Sequence, residues 1–321
     1  MTNKPPRHTA ADLAQMQSLP LEAKVRMTLN RLRAWYEHWD GEVYVSFSGG
    51  KDSTVLKHLA EQIDPNIPSV FVNTGLEYPE VRQFALRQPN VTRLDPRMKF
   101  YDVIEKYGYP VVSKENSQKI YEIRTTKSEA LRNSRLCDTR KALPQKWRYL
   151  IDAPFKISNK CCDVMKKAPI KAYEKETGRK AIVGTTTHES RLRREAWMQH
   201  GCNSFDAKRP ISQPMSFWTE QDVLRYIKLN GLEIATVYGD IVEENGHLRL
   251  TGYRRTGCMF CMYGLDHDGT PNRFQKMAHT HTRQYVYCID TLGLGKVLSF
   301  MGVDYDPPRQ GTLFPPEDST D

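Results

Sequence analysis

No run in the 321-residue sequence is long and apolar enough to cross a membrane, and the opening Met1–Arg7 stretch has no signal-peptide core. The expectation is a soluble, cytoplasmic protein. The G-x-x-x-x-G-K-[ST] loop of kinases and GTPases is missing, as are internal repeats. Acid is not in excess: 47 Lys and Arg stand against 38 Asp and Glu, a net charge of +9. That balance favours an anionic partner without separating a nucleotide from a nucleic acid. Seven cysteines are present, none of them after Cys288. In a reducing compartment, grouped cysteines suggest metal or redox chemistry more than disulfides.

The richest segment is Val43-Tyr-Val-Ser-Phe-Ser-Gly-Gly-Lys-Asp-Ser-Thr-Val-Leu56. Alternating Val43, Val45 and Phe47 read as a strand, and Val55, Leu56 and Leu59 open a helix at helical spacing. Between them, a glycine turn and a helix N-terminus offer backbone N–H groups to an anion. Gly49 and Gly50 admit phosphate oxygens, Lys51 adds charge, and Ser48 and Ser53 add hydroxyls. Asp52 would repel phosphate unless a cation such as Mg²⁺ lay between them.

A second strand, Ser69–Asn73, leads into Thr74-Gly75, and Pro79 begins the next helix. This makes a right-handed βαβ unit, with the nucleotide expected at the strands' carboxyl ends against Asn73, Thr74 and Gly75. The fold class expected is α/β, an open, mostly parallel twisted sheet with helices on both faces. A third strand is read at Lys180–Gly184, a short helix with a Thr9 cap over 1–19, an amphipathic helix from Leu21, and an N-capped helix at Thr219. One long helix is expected from Pro271 to Phe300. The domain reading is a helical segment at 1–40, a nucleotide domain at 41–235, a cysteine-containing helical region at 236–303, and a poorly ordered tail at 304–321. Residues 113–150 form a basic insertion, a candidate nucleic-acid surface.

Cys258-Met-Phe-Cys261 alone could bind zinc or an iron–sulfur cluster, or act as a redox dithiol. With Cys161-Cys162 it supplies four thiolates, enough for a closed [4Fe–4S] site, and the adjacent pair disfavours zinc. Cys137, near Arg135, Arg140 and Lys141, is a candidate sulfur carrier.

Six segments follow the order seen in the phosphoadenosine/adenosine phosphosulfate (PAPS/APS) reductase family of the adenine-nucleotide alpha-hydrolase superfamily, which the chain resembles. They are Ser48–Ser53, Asn73-Thr74-Gly75 with Tyr78-Pro79-Glu80, Cys161-Cys162 with Lys166-Lys167 and Pro169, Gly184 to Arg194, Pro214 to Val223, and Gly252 to Cys261. The resemblance implies an adenine nucleotide (ATP, APS or PAPS) held by these loops, Gly184 included. It also implies a [4Fe–4S] cluster on Cys161, Cys162, Cys258 and Cys261. Two departures stand out. The C-terminal Glu-Cys-Gly-type nucleophile is missing, and Thr185-Thr186-Thr187 stands where those reductases carry paired arginines. The full S-G-G-K-D-S loop instead looks like that of ATP-using sulfurtransferases, including DNA phosphorothioation enzymes. The favoured expectation is therefore an adenylating iron–sulfur sulfurtransferase using Mg²⁺, Lys51, Asp52 and Arg191 or Arg254, fed by a sulfur donor such as a cysteine desulfurase. Sulfite-forming reduction of APS or PAPS comes second, and a nucleotide-sensing or nucleic-acid-binding subunit third.

Overall fold

The structure, a computed structural model, describes residues 7–138 and 141–307. The expected tail therefore lies largely outside the described residues. Strands form at β1 Val43–Ser46, β2 Ser69–Val72, β3 Val91–Leu94, β4 Val111–Val112, β5 Lys180–Val183, β6 Asn203–Ser204, β7 Ile211–Ser212, β8 Ile241–Glu244, β9 His247–Leu250 and β10 Met262–Tyr263. The chain groups into two units, each discontinuous in sequence.

The first unit comprises residues 1–73, 78–95 and 170–256. Its six-stranded sheet has the order β3-β2-β1-β5-β7-β6, parallel throughout except for β6 against β7. The apolar faces explain the layering. Tyr44, Val70 and Ala181 are buried together on one side with Leu94, Ile170, Tyr173, Val183 and Ile211. Helix Lys51–Glu61 buries Val55, Leu56, Leu59 and Ala60, and Leu21–His38 buries Leu21, Leu32 and Trp35. The chain runs from β1 outward through β2 to β3, then returns to pair β5 on the other flank of β1. Strand order thus reverses between β1 and β5, the point where open α/β sheets leave a crevice at their carboxyl edge.

Side-chain caps fix the starts of two helices of this unit. Thr9 and Thr219 each close a capping box, with Asp12 and Asp222. β8 and β9 form a hairpin around Asn245-Gly246, both with positive φ (51° and 78°).

The second unit comprises residues 74–77, 96–169 and 257–321. It is mainly helical, with Phe100–Tyr107, Lys114–Thr125 and Glu129–Cys137, and a parallel pairing of β4 with β10. Cys161 and Cys162 lie on a short helical turn that passes into a π-helical turn, Asp163–Lys167. The single helix expected from Pro271 to Phe300 is instead divided into Arg273–Thr280, Thr282–Val286 and Leu294–Phe300, with a π-helical turn at Tyr287–Thr291. Asn272 caps its start, and Gly293, at φ 70°, interrupts it.

Candidate active site

Ser48-Gly49-Gly50 leaves β1 at the switch point and enters helix Lys51–Glu61. The turn is braced from within. Ser48 N–H donates to Ser53 Oγ at 3.2 Å, the two seryl oxygens are 3.0 Å apart, and Gly50 N–H donates to Ser48 Oγ at 3.3 Å. Gly49 needs its missing side chain. Its φ is 72°, and a Cβ there would stand 2.8 Å from the Val81 carbonyl oxygen. Gly50 occupies the N-cap position with no side-chain capping bond, so the positive end of the helix dipole is presented without a side-chain cap. Tyr238 Oη accepts from Lys51 N–H at 3.1 Å and is itself 2.5 Å from Thr256 Oγ1.

The charges are arranged around Lys51, whose side chain is only 7% exposed. Its Nζ lies 3.2 Å from Asp52 Oδ2 and 3.5 Å from Glu220 Oε1. Burial alone would depress the Lys51 pKa, but the two carboxylates outweigh it and hold the ammonium above its ordinary value. Glu220 also takes Arg254, through Nε at 2.7 Å and Nη2 at 2.6 Å. Burial pushes the Glu220 carboxyl up, yet the Arg254 hydrogen bonds and the Lys51 charge bring it below the usual glutamate range. His188 feels the same groups. Lost hydration and Arg255, Arg254 and Lys51 lower its pKa against the pull of Glu220.

The expected Mg²⁺ beside Asp52 is corrected by this geometry. The Lys51 ammonium already supplies the neighbouring cation, and among the described residues no group of three or more His, Cys, Asp or Glu could hold a metal ion.

The remaining residues singled out by the sequence are placed as follows. Gly184 ends β5 against the start of the loop helix, where a Cβ would stand 3.0 Å from the Asp52 carbonyl oxygen. It sets how closely β5 approaches that helix. Asn73 commits its amide to Asp95 (2.8 Å) and Arg82 (2.7 Å). In the second unit, Thr74 bonds Glu77 through both its N–H (3.1 Å) and its hydroxyl (2.6 Å), with Gly75 at φ 74° beside it. Arg254 joins Lys51 through Glu220, whereas Arg191 is 86% exposed and pairs with Glu195. Glu220, Tyr238 and Thr256 are not singled out by the sequence. Only Glu220 leaves a signal there, as the residue after an N-cap threonine.

In the second unit, Cys161 lies within electrostatic reach of Cys162, Cys258 and Cys261. Lys166 is held above its ordinary pKa, first by the charge of Cys258 and then, against burial, by Glu77. The four thiols do not make a metal centre, since no metal-holding group of His, Cys, Asp or Glu occurs here among the described residues. The [4Fe–4S] expectation is corrected accordingly. The local reason is that Cys161 and Cys162 are consecutive residues of one helical turn, where neighbouring side chains do not share a face. In the free protein burial also favours the thiol form, raising Cys161 and Cys162 and pushing Cys261 up to about 11.

The basic insertion is largely engaged in local structure. Lys114 pairs with Asp163 (2.7 Å), Lys119 with Glu115 (2.7 Å) and Arg135 with Glu122 (2.6 Å). Arg124 donates to the Ala153 and Phe155 carbonyls, and Arg148 to that of Leu136. Cys137 is exposed, but its neighbour Arg135 is engaged by Glu122, and Arg140 lies outside the described residues.

A family profile described as the phosphoadenosine phosphosulfate reductase domain matches residues 42–263, well over half of the chain. The chain belongs to this family. Within the phosphoadenosine phosphosulfate reductase domain family, an adenosine 5′-phosphosulfate reductase of Anoxybacillus flavithermus is 22% identical over 78% of this chain and 85% of its own length. An uncharacterised protein of Methanocaldococcus jannaschii is 24% identical over 77% of this chain, which spans about half (48%) of that relative. A solved phosphoadenylyl-sulfate reductase of Candida auris, in a phosphate complex, is 12% identical and covers 79% of this chain and 100% of its own, at a TM-score of 0.38. The expectation of an adenylating iron–sulfur sulfurtransferase is corrected by two findings: no group of His, Cys, Asp or Glu that could hold a metal ion occurs among the described residues, and the family that matches is the reductase domain.

Proposed function

We propose that the chain is a sulfonucleotide reductase: it binds APS or PAPS at the Ser48–Ser53 loop and releases sulfite with oxidation of a dithiol. The observation that carries this reading is Lys51, buried at a helix N-terminus without a side-chain cap, at the sheet's switch point and inside the segment that matches the reductase family. The relative named as an adenosine 5′-phosphosulfate reductase supports the choice of nucleotide class.

The chemistry balances with two thiols. The thiolate of one attacks the sulfate sulfur, the sulfur–oxygen bond to phosphate breaks, and the nucleoside phosphate leaves with that electron pair. The second thiol then attacks the sulfur of the resulting S-sulfo adduct that came from the first thiol. Sulfite departs, and the two thiols are left oxidised to a disulfide. This chain's part is to bind and polarise. Lys51 and the first-turn N–H groups oppose the charge that grows on the departing phosphate oxygen, where a fixed donor contributes most.

The test is sulfite release from APS and PAPS, assayed separately, with dithiothreitol as the dithiol. Sulfite should form with one of them and match the nucleoside phosphate produced. Lys51→Met should slow it by about 100-fold or more. A folded protein that yields no sulfite from either nucleotide would sink the proposal.

A further inference from the structure

The proposed reaction gives Glu220 no task, yet this residue is fixed beside Lys51 by its helix and by two ion pairs. It is the first residue of helix Glu220–Asn230, whose N-cap Thr219 is closed by Asp222. Asp222 in turn receives the buried Lys24 ammonium at 2.7 Å, so the backbone under Glu220 is anchored to helix Leu21–His38. Its side chain, 14% exposed, reaches two cations at once, Lys51 at 3.5 Å and Arg254 at 2.6 Å. A carboxylate in that position opposes phosphate binding, because the cations a phosphate would use are already paired.

Resting on the reading that this loop binds nucleotide phosphates, we propose that Glu220 is a built-in occupant of the phosphate site, displaced from Lys51 by the incoming phosphate group. In the free protein the carboxylate pairs Arg254 and shares the buried Lys51 ammonium with Asp52, which lies 3.2 Å from it. An incoming anion must outcompete it. A weakly held monoanion does not. A nucleotide does, because it brings doubly charged phosphate together with the contacts of its nucleoside. Glu220 thus lowers affinity in exchange for selectivity, since the binding-competent state has to be released first.

The experiment is calorimetric titration of the full chain with AMP and, separately, with inorganic pyrophosphate. Glu220→Gln removes the charge and keeps the shape, and should tighten binding of both by about tenfold or more. Glu220→Ala serves as a second neutral variant with the same expectation, should the Gln form fail to fold. Glu220→Asp, still charged, should stay nearer to wild type. The gain must pass through Lys51, so it should vanish in Lys51→Met/Glu220→Gln. Equal or weaker binding by the neutral variants overturns the proposal, and so does a gain that survives loss of Lys51. The loop reading fails separately, if Lys51→Met alone leaves wild-type AMP binding intact.

Discussion

Replacing Gly49 by alanine isolates the geometric demand of the loop from its charge. Two costs apply. The residue sits at φ 72°, where a side chain is strained by about 1–2 kcal/mol. The new methyl would also lie 2.8 Å from the Val81 carbonyl oxygen and 3.0 Å from Ala85 Cβ. The closest of these is backbone oxygen, which no rotamer change can move, so helix Pro79–Arg87 or the loop must shift. Overpacking of that kind costs about 1–3 kcal/mol.

Gly178 provides the control within the same unit. Its φ is 73°, but nothing would stand within 4 Å of a methyl group added there. Gly178→Ala should therefore lose about 1–2 kcal/mol from strain alone, and Gly49→Ala about 2–5 kcal/mol. Urea unfolding followed by tryptophan fluorescence is suitable, since Trp35, Trp197 and Trp218 are buried in this unit. A Gly49→Ala loss no larger than that of Gly178→Ala would refute the close approach of loop and helix.

Three further outcomes are expected. Because Glu220 is depressed in the folded protein, its contribution to stability is fully present above the ordinary glutamate value of 4.5 and is lost as pH falls through the lower folded value. The stability gap between wild type and Glu220→Gln should thus close below about pH 4, and a pH-independent gap would contradict the ion pairing. Iodoacetamide at pH 8 should label exposed Cys137 first, while Cys161, Cys202 and Cys288, all raised by burial, react only on unfolding; prior labelling of the buried three, read by mass spectrometry, would count against their placement. Lys24→Met strands Asp222, whose side chain is 10% exposed, and should cost about 3–5 kcal/mol in urea unfolding. A loss under about 1 kcal/mol would show the pair to be dispensable.

What the sequence disclosed depended on how local each signal was. β1, β2 and β5 are legible because apolar residues run into glycine or a polar turn. β3 is not: Val91-Thr92-Arg93-Leu94 has no buried residue and carries an arginine. β6 and β7, two residues each, are too short for periodicity. The β8–β9 hairpin leaves a signal in Asn245-Gly246, but the strands on either side carry glutamates, an arginine and a histidine instead of a clean apolar alternation. In the basic insertion, the carbonyls that Arg124 and Arg148 reach become visible only once the helices are packed. The cysteine spacing mis-stated its outcome for a similar reason, since proximity in one unit is not convergence on one point.

Glu220 shows most clearly what a linear reading misses. The capping box at Thr219 is legible, and it looks like a device for starting a helix. In the fold, the same Asp222 that accepts from Thr219 N–H at 2.7 Å also takes the ammonium of Lys24 at 2.7 Å. A cap alone would work as well on the surface, and a buried ion pair adds little net stability over an apolar pair. Stability therefore does not account for placing the two together. Position does: the pair pins the helix start whose next side chain reaches Lys51 and Arg254. On this argument Lys24 and Asp222 are positioning residues for the phosphate site, although neither touches it. Lys24→Met should then move nucleotide affinity as well as stability, and the affinity change should disappear in a Glu220→Gln background. An equal change in both backgrounds would leave Lys24 with a structural role alone.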